Sequence, residues 1–120
     1  MTNSICDFQP RQIVCTTHQA THLYAEVIQV VKSRQIGWFR PLLLVEFFDD
    51  EQLSISPKLL DLRSGADLLC PPSLFRPAID TEVIPLLMQL SAWEPPLEHD
   101  PVAFKRLHQF IQQALLLDEK

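Results

Sequence analysis

Glycine is nearly missing: the 120 residues hold two, Gly37 and Gly65. Neither G-x-G-x-x-G nor G-x-x-x-x-G-K-[ST] can be written with them, which excludes the standard phosphate-cradling loops. Cysteine is scarce and odd in number, at three. A disulfide framework needs pairs. The opening residues MTNSICDFQP have neither the basic start nor the apolar run of a secretory signal. Reduced thiols in a cytoplasmic setting are therefore expected. Positive charge is in deficit, with ten Lys and Arg against fifteen Asp and Glu and a net charge of −5. Nucleic-acid binding asks for a basic face. Residues 32–76 do not supply one, since their six basic and six acidic side chains cancel. Long apolar runs are absent too. The longest, residues 41–45 followed by Phe47 and Phe48, is broken by Glu46 and is too short to span a bilayer.

What is present describes one ordinary domain. The hydrophobic share of 47% and charged share of 21% are globular values, and 120 residues can bury a core without staples. Ten prolines against two glycines predict stiff, irregular connections and few hinges. Residues 1–10 read as a loose tail. Residues 12–70 read mainly as strands and 80–117 mainly as helices, with all of 1–120 in a single domain. Strands first and helices after predict an α+β fold: a small antiparallel sheet or partial barrel of four or five strands followed by C-terminal helices.

Individual segments sharpen that outline. Two templates fit residues 20–33. Ala20, Leu23, Tyr24, Val27, Ile28 and Val31 keep helical spacing, with Thr16 and Gln19 placed as a capping box. Against this, Val27, Ile28, Val30 and Val31 bring four β-branched residues into five positions, which favours a strand. The run IGWFRPLLLVEFF predicts a strand covered on both faces, with Pro41 marking a bulge or an unpaired edge. KLLDLRSGADLLCP predicts two short strands around Ser64 and Gly65, and PPSLFRPAID a short 3₁₀ turn. Asp80 is a candidate N-cap, with Pro85 in the first turn if that helix starts late. The final helix is the plainest: Asp100 caps, Pro101 opens it, and Ala103, Phe104, Leu107, Phe110, Ile111, Ala114 and Leu115 make one apolar arc.

The stretch CTTHQATH raises the question of a metal. With Cys6 upstream, it offers Cys15, His18 and His22 as ligands. Structural zinc sites pair C-x2-4-C with H-x3-5-H. Here the two thiols are nine positions apart, and both precede the histidines with almost no intervening fold. The expectation is no metal: Cys6 in the tail, Cys15 packed as a small apolar residue, both histidines solvated. Cys70 in LLCPPS, with His99 or His108 approaching from far along the chain, is the candidate nucleophile. Its apolar neighbours predict an inert thiol instead. Asp49, Asp50 and Glu51 read as a solvated turn, without an EF-hand pattern. Asp61 and Asp67 are expected to flank a hairpin and to pair with Arg63 or Arg76.

Three places offer an interaction surface. Trp38 and Arg40 share one face of a strand, and Trp and Arg lead the residues found at binding hot spots. If that face is core, Trp38 is packing and Arg40 sits at the rim on a carboxylate. Leu74, Phe75 and Arg76 ride a proline-stiffened loop, where ordering for binding costs little entropy. Leu116 falls on the polar side of the last helix.

The stretches LYAEVIQVV, WFRPLLLVE and LDLRSGADLLCPPSLFRPAIDTEVIPLL resemble a family of small conserved hypothetical proteins from cyanobacteria, over residues 22–90. The resemblance implies a bacterial cytoplasmic setting and an accessory role near the photosynthetic apparatus. It carries no activity and no functional residue.

The function expected on these grounds is a non-enzymatic interaction module, an adaptor or assembly factor that binds another protein or itself as a homodimer. No cofactor is called for. A small-molecule-binding regulatory domain is the alternative, with a half-barrel lined by Tyr24, Trp38 and Phe47. An enzyme using Cys70 or His99 ranks third.

Overall fold

A computed structural model describes residues 7–47, 58–63, 65–94 and 101–118, with side chains in the last helix described through Leu115. Among these residues the fold is α+β: an open antiparallel sheet of six strands and two helices. The strands are β1 (Ile13–His18), β2 (Thr21–Val31), β3 (Ile36–Glu46), β4 (Lys58–Asp61), β5 (Leu68–Cys70) and β6 (Arg76–Pro77). The helices are α1 (Asp80–Ser91) and α2 (Pro101–Asp118). The β-branched density of residues 27–31 decides for the strand, and β2 runs unbroken for 11 residues.

Sheet order is β4-β3-β2-β1-β6, and β5 also pairs with β3. The segments β4 and β5 do not form a hairpin with one another. They lie end to end along the same edge of β3, with Leu43–Glu46 facing β4 and Gly37–Phe39 facing β5. Pro41 sits where β3 passes from one to the other. At that point Ala25 pairs with Pro41 and Tyr24 with Leu43, which leaves Leu42 as an extra residue in a bulge. A residue without an N–H is tolerated there because no ladder partner asks for one. A second register shift, between Val27 and Gln29, leaves Ile28 extra on β2.

With glycine so scarce, other residues take left-handed backbone. Arg11, Gln19 and Gln35 have φ of 74°, 55° and 53°. Gln19 turns β1 into β2, and Gln35 closes the 3₁₀ turn Lys32–Arg34 that leads into β3. Gly65 is needed for a different reason: a Cβ there would collide with the ring of Phe104.

Adjacent strand residues point to opposite faces, so the sheet carries two cores. One holds Val14, Leu23, Val27, Phe39, Leu44 and Leu62 against Ala103, Leu107 and Phe110 of α2. The other holds Cys15, Tyr24, Leu43 and Val45 against Val83 and Leu90 of α1. The helices thus cover opposite faces. In α2 the expected arc is the buried side, with Ala103, Leu107, Phe110 and Ala114 all buried. Pro101 opens that helix, while Asp100 lies outside the described residues.

Two expectations about termini change. In α1 the cap residue is Ile79, and Asp80 is the first helical residue. The Ile79 N–H donates to the Glu82 side chain at 2.9 Å, so the carboxylate three residues on does the capping. Pro85 stands inside the helix rather than in its first turn. Of the expected loose tail, residues 1–6 lie outside the described residues, whereas Phe8 packs against the α2-side core.

Candidate functional site

Two features of the α1 side of the sheet stand apart from ordinary packing. The first is a polar cluster under the start of α1. Strand register puts Arg76 opposite Cys15, and Cys15 opposite Tyr24. The three therefore form a row across β6, β1 and β2. His22, two residues before Tyr24, points to the same face one step along. Glu82 arrives from the first turn of α1 and closes the group. Arg76 donates to its Oε1 at 2.8 Å and the Tyr24 hydroxyl to its Oε2 at 3.0 Å. Arg76 also reaches the Cys15 Sγ at 3.6 Å. The Nδ1 of His22 lies 3.4 Å from the Tyr24 hydroxyl. Since Tyr24 has one proton and gives it to Glu82, His22 Nδ1 is the donor in that contact.

The electrostatics follow from this arrangement. The hydrogen bond from Arg76 holds the Glu82 carboxyl down at about 2, with further help from the Ile79 N–H and the Tyr24 hydroxyl. Burial pushes the Cys15 thiol above its ordinary value, only partly offset by Arg76. Burial likewise lowers His22 and raises Tyr24. At neutral pH the cluster is a neutral thiol, imidazole and phenol around one ion pair. That pair is partly exposed and is worth about 0–1 kcal/mol. Burying Val83 and Leu90 contributes about 1.5–3 kcal/mol each. The apolar contacts hold α1 down, and the polar cluster fixes where its first turn sits.

Of the four ligands considered from sequence, the fold brings Cys15 and His22 together and parts them from His18. His18 faces away from Cys15 and His22, with its ring edge toward Phe110 on the α2 side. Cys6 lies outside the described residues. Cys15 is fully buried, as expected of a small apolar residue. His22 is not simply solvated: it sits between Tyr24 and the ring of Phe47, at 4.9 Å from the latter. The member missed from sequence is Glu82. Its signal was present as the third residue of α1, where a Glu caps a helix, but nothing local said that α1 starts over Tyr24.

The second feature is the half of this sheet face that α1 does not reach. Val31 pairs with Ile36, Gln29 with Trp38, and Trp38 with Leu69, so these side chains share one surface. Trp38 is 40% exposed and Leu69 72%, and Val31 and Ile36 are exposed as well. Trp38 is neither core nor free. Its Nε1 donates to Asp67 at 2.7 Å, and Arg40 donates to the other oxygen of the same carboxylate at 3.4 Å. Beside the patch an open groove is lined by Pro10, Arg11, Glu26, Val27, Ile28 and Arg40. Asp61 pairs with Arg63 as expected, and Arg63 also donates to the Trp93 carbonyl after α1. Asp67 takes Trp38 and Arg40, and Arg76 takes Glu82.

The other expected surface does not form. Phe75 is buried, stacked on Phe39 with ring centroids 4.3 Å apart. Leu74 packs against the same core. Prolines stiffen this loop, which plugs the α2-side core, and of Leu74, Phe75 and Arg76 only Arg76 is exposed, reaching toward Glu82. The Leu116 side chain lies outside the described residues. Tyr24, Trp38 and Phe47 do not line a common barrel: Tyr24 is buried under α1, while Trp38 and Phe47 are exposed. Burial pushes the Cys70 thiol to about 12, so it is protonated at neutral pH. His108 is exposed with its ring beside Phe104, and His99 and residues 49–51 lie outside the described residues.

No family model, curated protein or solved structure matches this chain. Among the described residues, no helix is long and apolar enough to cross a membrane.

Proposed function

We propose that this protein is a non-enzymatic interaction module whose uncovered half-sheet, Val31, Ile36, Trp38 and Leu69, receives a partner protein segment of apolar side chains bordered by acidic ones. The observation that carries this reading is Trp38. It lies on a face that no described element covers, yet Asp67 holds its indole in place. A large aromatic already fixed in position loses little entropy on binding and serves as an anchor. Arg40, bound to the same carboxylate, adds a guanidinium at the edge.

Charge selects the partner. Arg11, Lys32, Arg34 and Arg40 stand near this end of the sheet, against Asp7, Glu26 and Asp67, a local balance of +1 in a chain of −5. Arg11 and Arg34 have no side-chain partner among the described residues. A second copy docked by a two-fold axis would set these cations against one another. An acidic-bordered segment would neutralise them.

The test uses the full chain with Trp93→Phe, which leaves Trp38 as the single tryptophan. Trp38 emission is followed while a peptide alternating Leu with Glu is added, and in parallel its Leu–Lys counterpart. The Leu–Glu peptide should shift the emission saturably, and Leu69→Asp should abolish the shift. Equal binding of the Leu–Lys peptide, or no binding of either, overturns the proposal. So does sedimentation showing a dimer that Leu69→Asp dissociates, because the occupant would then be a second copy.

A further inference from the structure

The geometry points to Cys15, His22 and Glu82 as a binding site for one thiophilic divalent cation, with zinc the best match, that Arg76 closes when the ion is absent. The Cys15 Sγ, a ring nitrogen of His22 and a carboxylate oxygen of Glu82 lie within 4.8 Å of one another. Ligand atoms around tetrahedral zinc stand about 3.5 Å apart, so side-chain adjustment of about 1 Å completes the site. The donors come from β1, β2 and α1, and thiolate, imidazole and carboxylate are the three ligand types that zinc takes from proteins. Tyr24 supplies an orienting shell. Its hydroxyl donates to Glu82 and accepts from His22 Nδ1, which fixes the carboxylate and leaves Nε2 as the imidazole's lone pair for the ion. With three protein ligands, the fourth position is left to water.

A cation already occupies this place. The Arg76 guanidinium touches two of the three donors, Glu82 at 2.8 Å and Cys15 Sγ at 3.6 Å. Those donors thus form a pocket that favours positive charge. The Arg76 side chain is 44% exposed and has solvent to turn into. The sulfur also meets the Tyr24 hydroxyl, the Thr16 carbonyl at 3.8 Å and Thr17 Oγ1 at 4.0 Å. Binding requires the thiol to release its proton to solvent as the metal–sulfur bond forms, with the guanidinium displaced. Affinity therefore rises with pH. The groups that face the thiol and share in this titration are Arg76 from β6, His22 and Tyr24 from β2, and Glu82 from α1.

Cobalt(II) is the probe, added to untagged full-length protein stripped with chelator. A near-ultraviolet thiolate-to-cobalt charge-transfer band should appear with one ion per chain and be displaced by zinc. Cys15→Ser should remove the band. His22→Ala, at a half-buried position where the fold is under little threat, should weaken binding roughly tenfold or more. Arg76→Gln should strengthen it, an outcome that a merely structural ion pair would not produce. No band with millimolar cobalt at pH 8, a band that survives Cys15→Ser, or weaker binding in Arg76→Gln overturns the assignment. The Leu–Glu peptide experiment is independent of all these outcomes.

Discussion

The two faces of the sheet are finished differently. On the α2 side, apolar residues of β1, β2 and β3 meet an apolar arc, and much of the solvent side of that helix is Lys105, Arg106, His108, Gln109, Gln112 and Gln113. A helix patterned in this way has one place to go. On the α1 side the helix is shorter and apolar on both flanks: Val83 and Leu90 are buried, while Ile84 and Met88 are exposed. It covers the end of the face around Tyr24, Leu43 and Val45 and leaves the end around Trp38 open. The polar cluster lies only on this second side. One face is covered by its helix along the whole apolar arc, and the other is covered only in part.

The sharpest way to break this comparison is to cut two consecutive residues of β3. Phe39 points to α2 and is fully buried; Trp38 points to the open half. Phe39→Ala should cost about 3–5 kcal/mol in urea denaturation. Trp38→Ala should cost about 1 kcal/mol, mostly from the lost contact with Asp67. Equal costs would mean that the open half is core after all.

Acid should distinguish the faces next. Glu82 is held at about 2 in the folded chain, against an ordinary value of 4.5. Its contribution is present above 4.5 and is lost as pH falls from there toward 2. His22, lowered from 6.5 by burial, acts in the same direction. The unfolded chain takes up a proton first, so stability falls as pH drops below 6.5. A titration of unfolding free energy should show both slopes. Glu82→Gln should flatten the lower one and His22→Gln the upper, and an unchanged profile in both would show that the cluster does not hold α1 in register. Tyr24→Phe should cost about 1 kcal/mol at neutral pH through the lost hydrogen bond to Glu82.

The smallest effect belongs to Leu69. At 72% exposure, Leu69→Asp should leave unfolding within about 0.5 kcal/mol of the parent chain. A larger loss would mean that something within this chain covers the patch, which would remove it as a docking face.

Several features are legible in the sequence itself. The strand-then-helix order, the bulge at Pro41, the 3₁₀ turn at residues 72–74 and the apolar arc of α2 all follow from periods and backbone preferences that operate within a few residues. The sixth strand is not, because Arg76 and Pro77 make a strand only through their pairing with β1. Nor is the role of the loop before it. Leu74 and Phe75 look the same in sequence whether they face solvent or Phe39.

The sequence by itself determined where the longer strands and the last helix lie and which residues alternate along them, since φ/ψ preference and side-chain period are local properties; β6 is the exception. Only the tertiary structure decided that β3 alternates between buried and exposed at residues 36–40 but is covered on both faces at 43–45. That depends on where a helix some 40 residues later comes to rest. It also decided that Glu82 meets Tyr24, 58 positions away, while His18, four positions from His22, turns its back on it. Strand register and helix docking bring distant residues together, and the free energy that sets them is spread over the whole core rather than written in any one stretch.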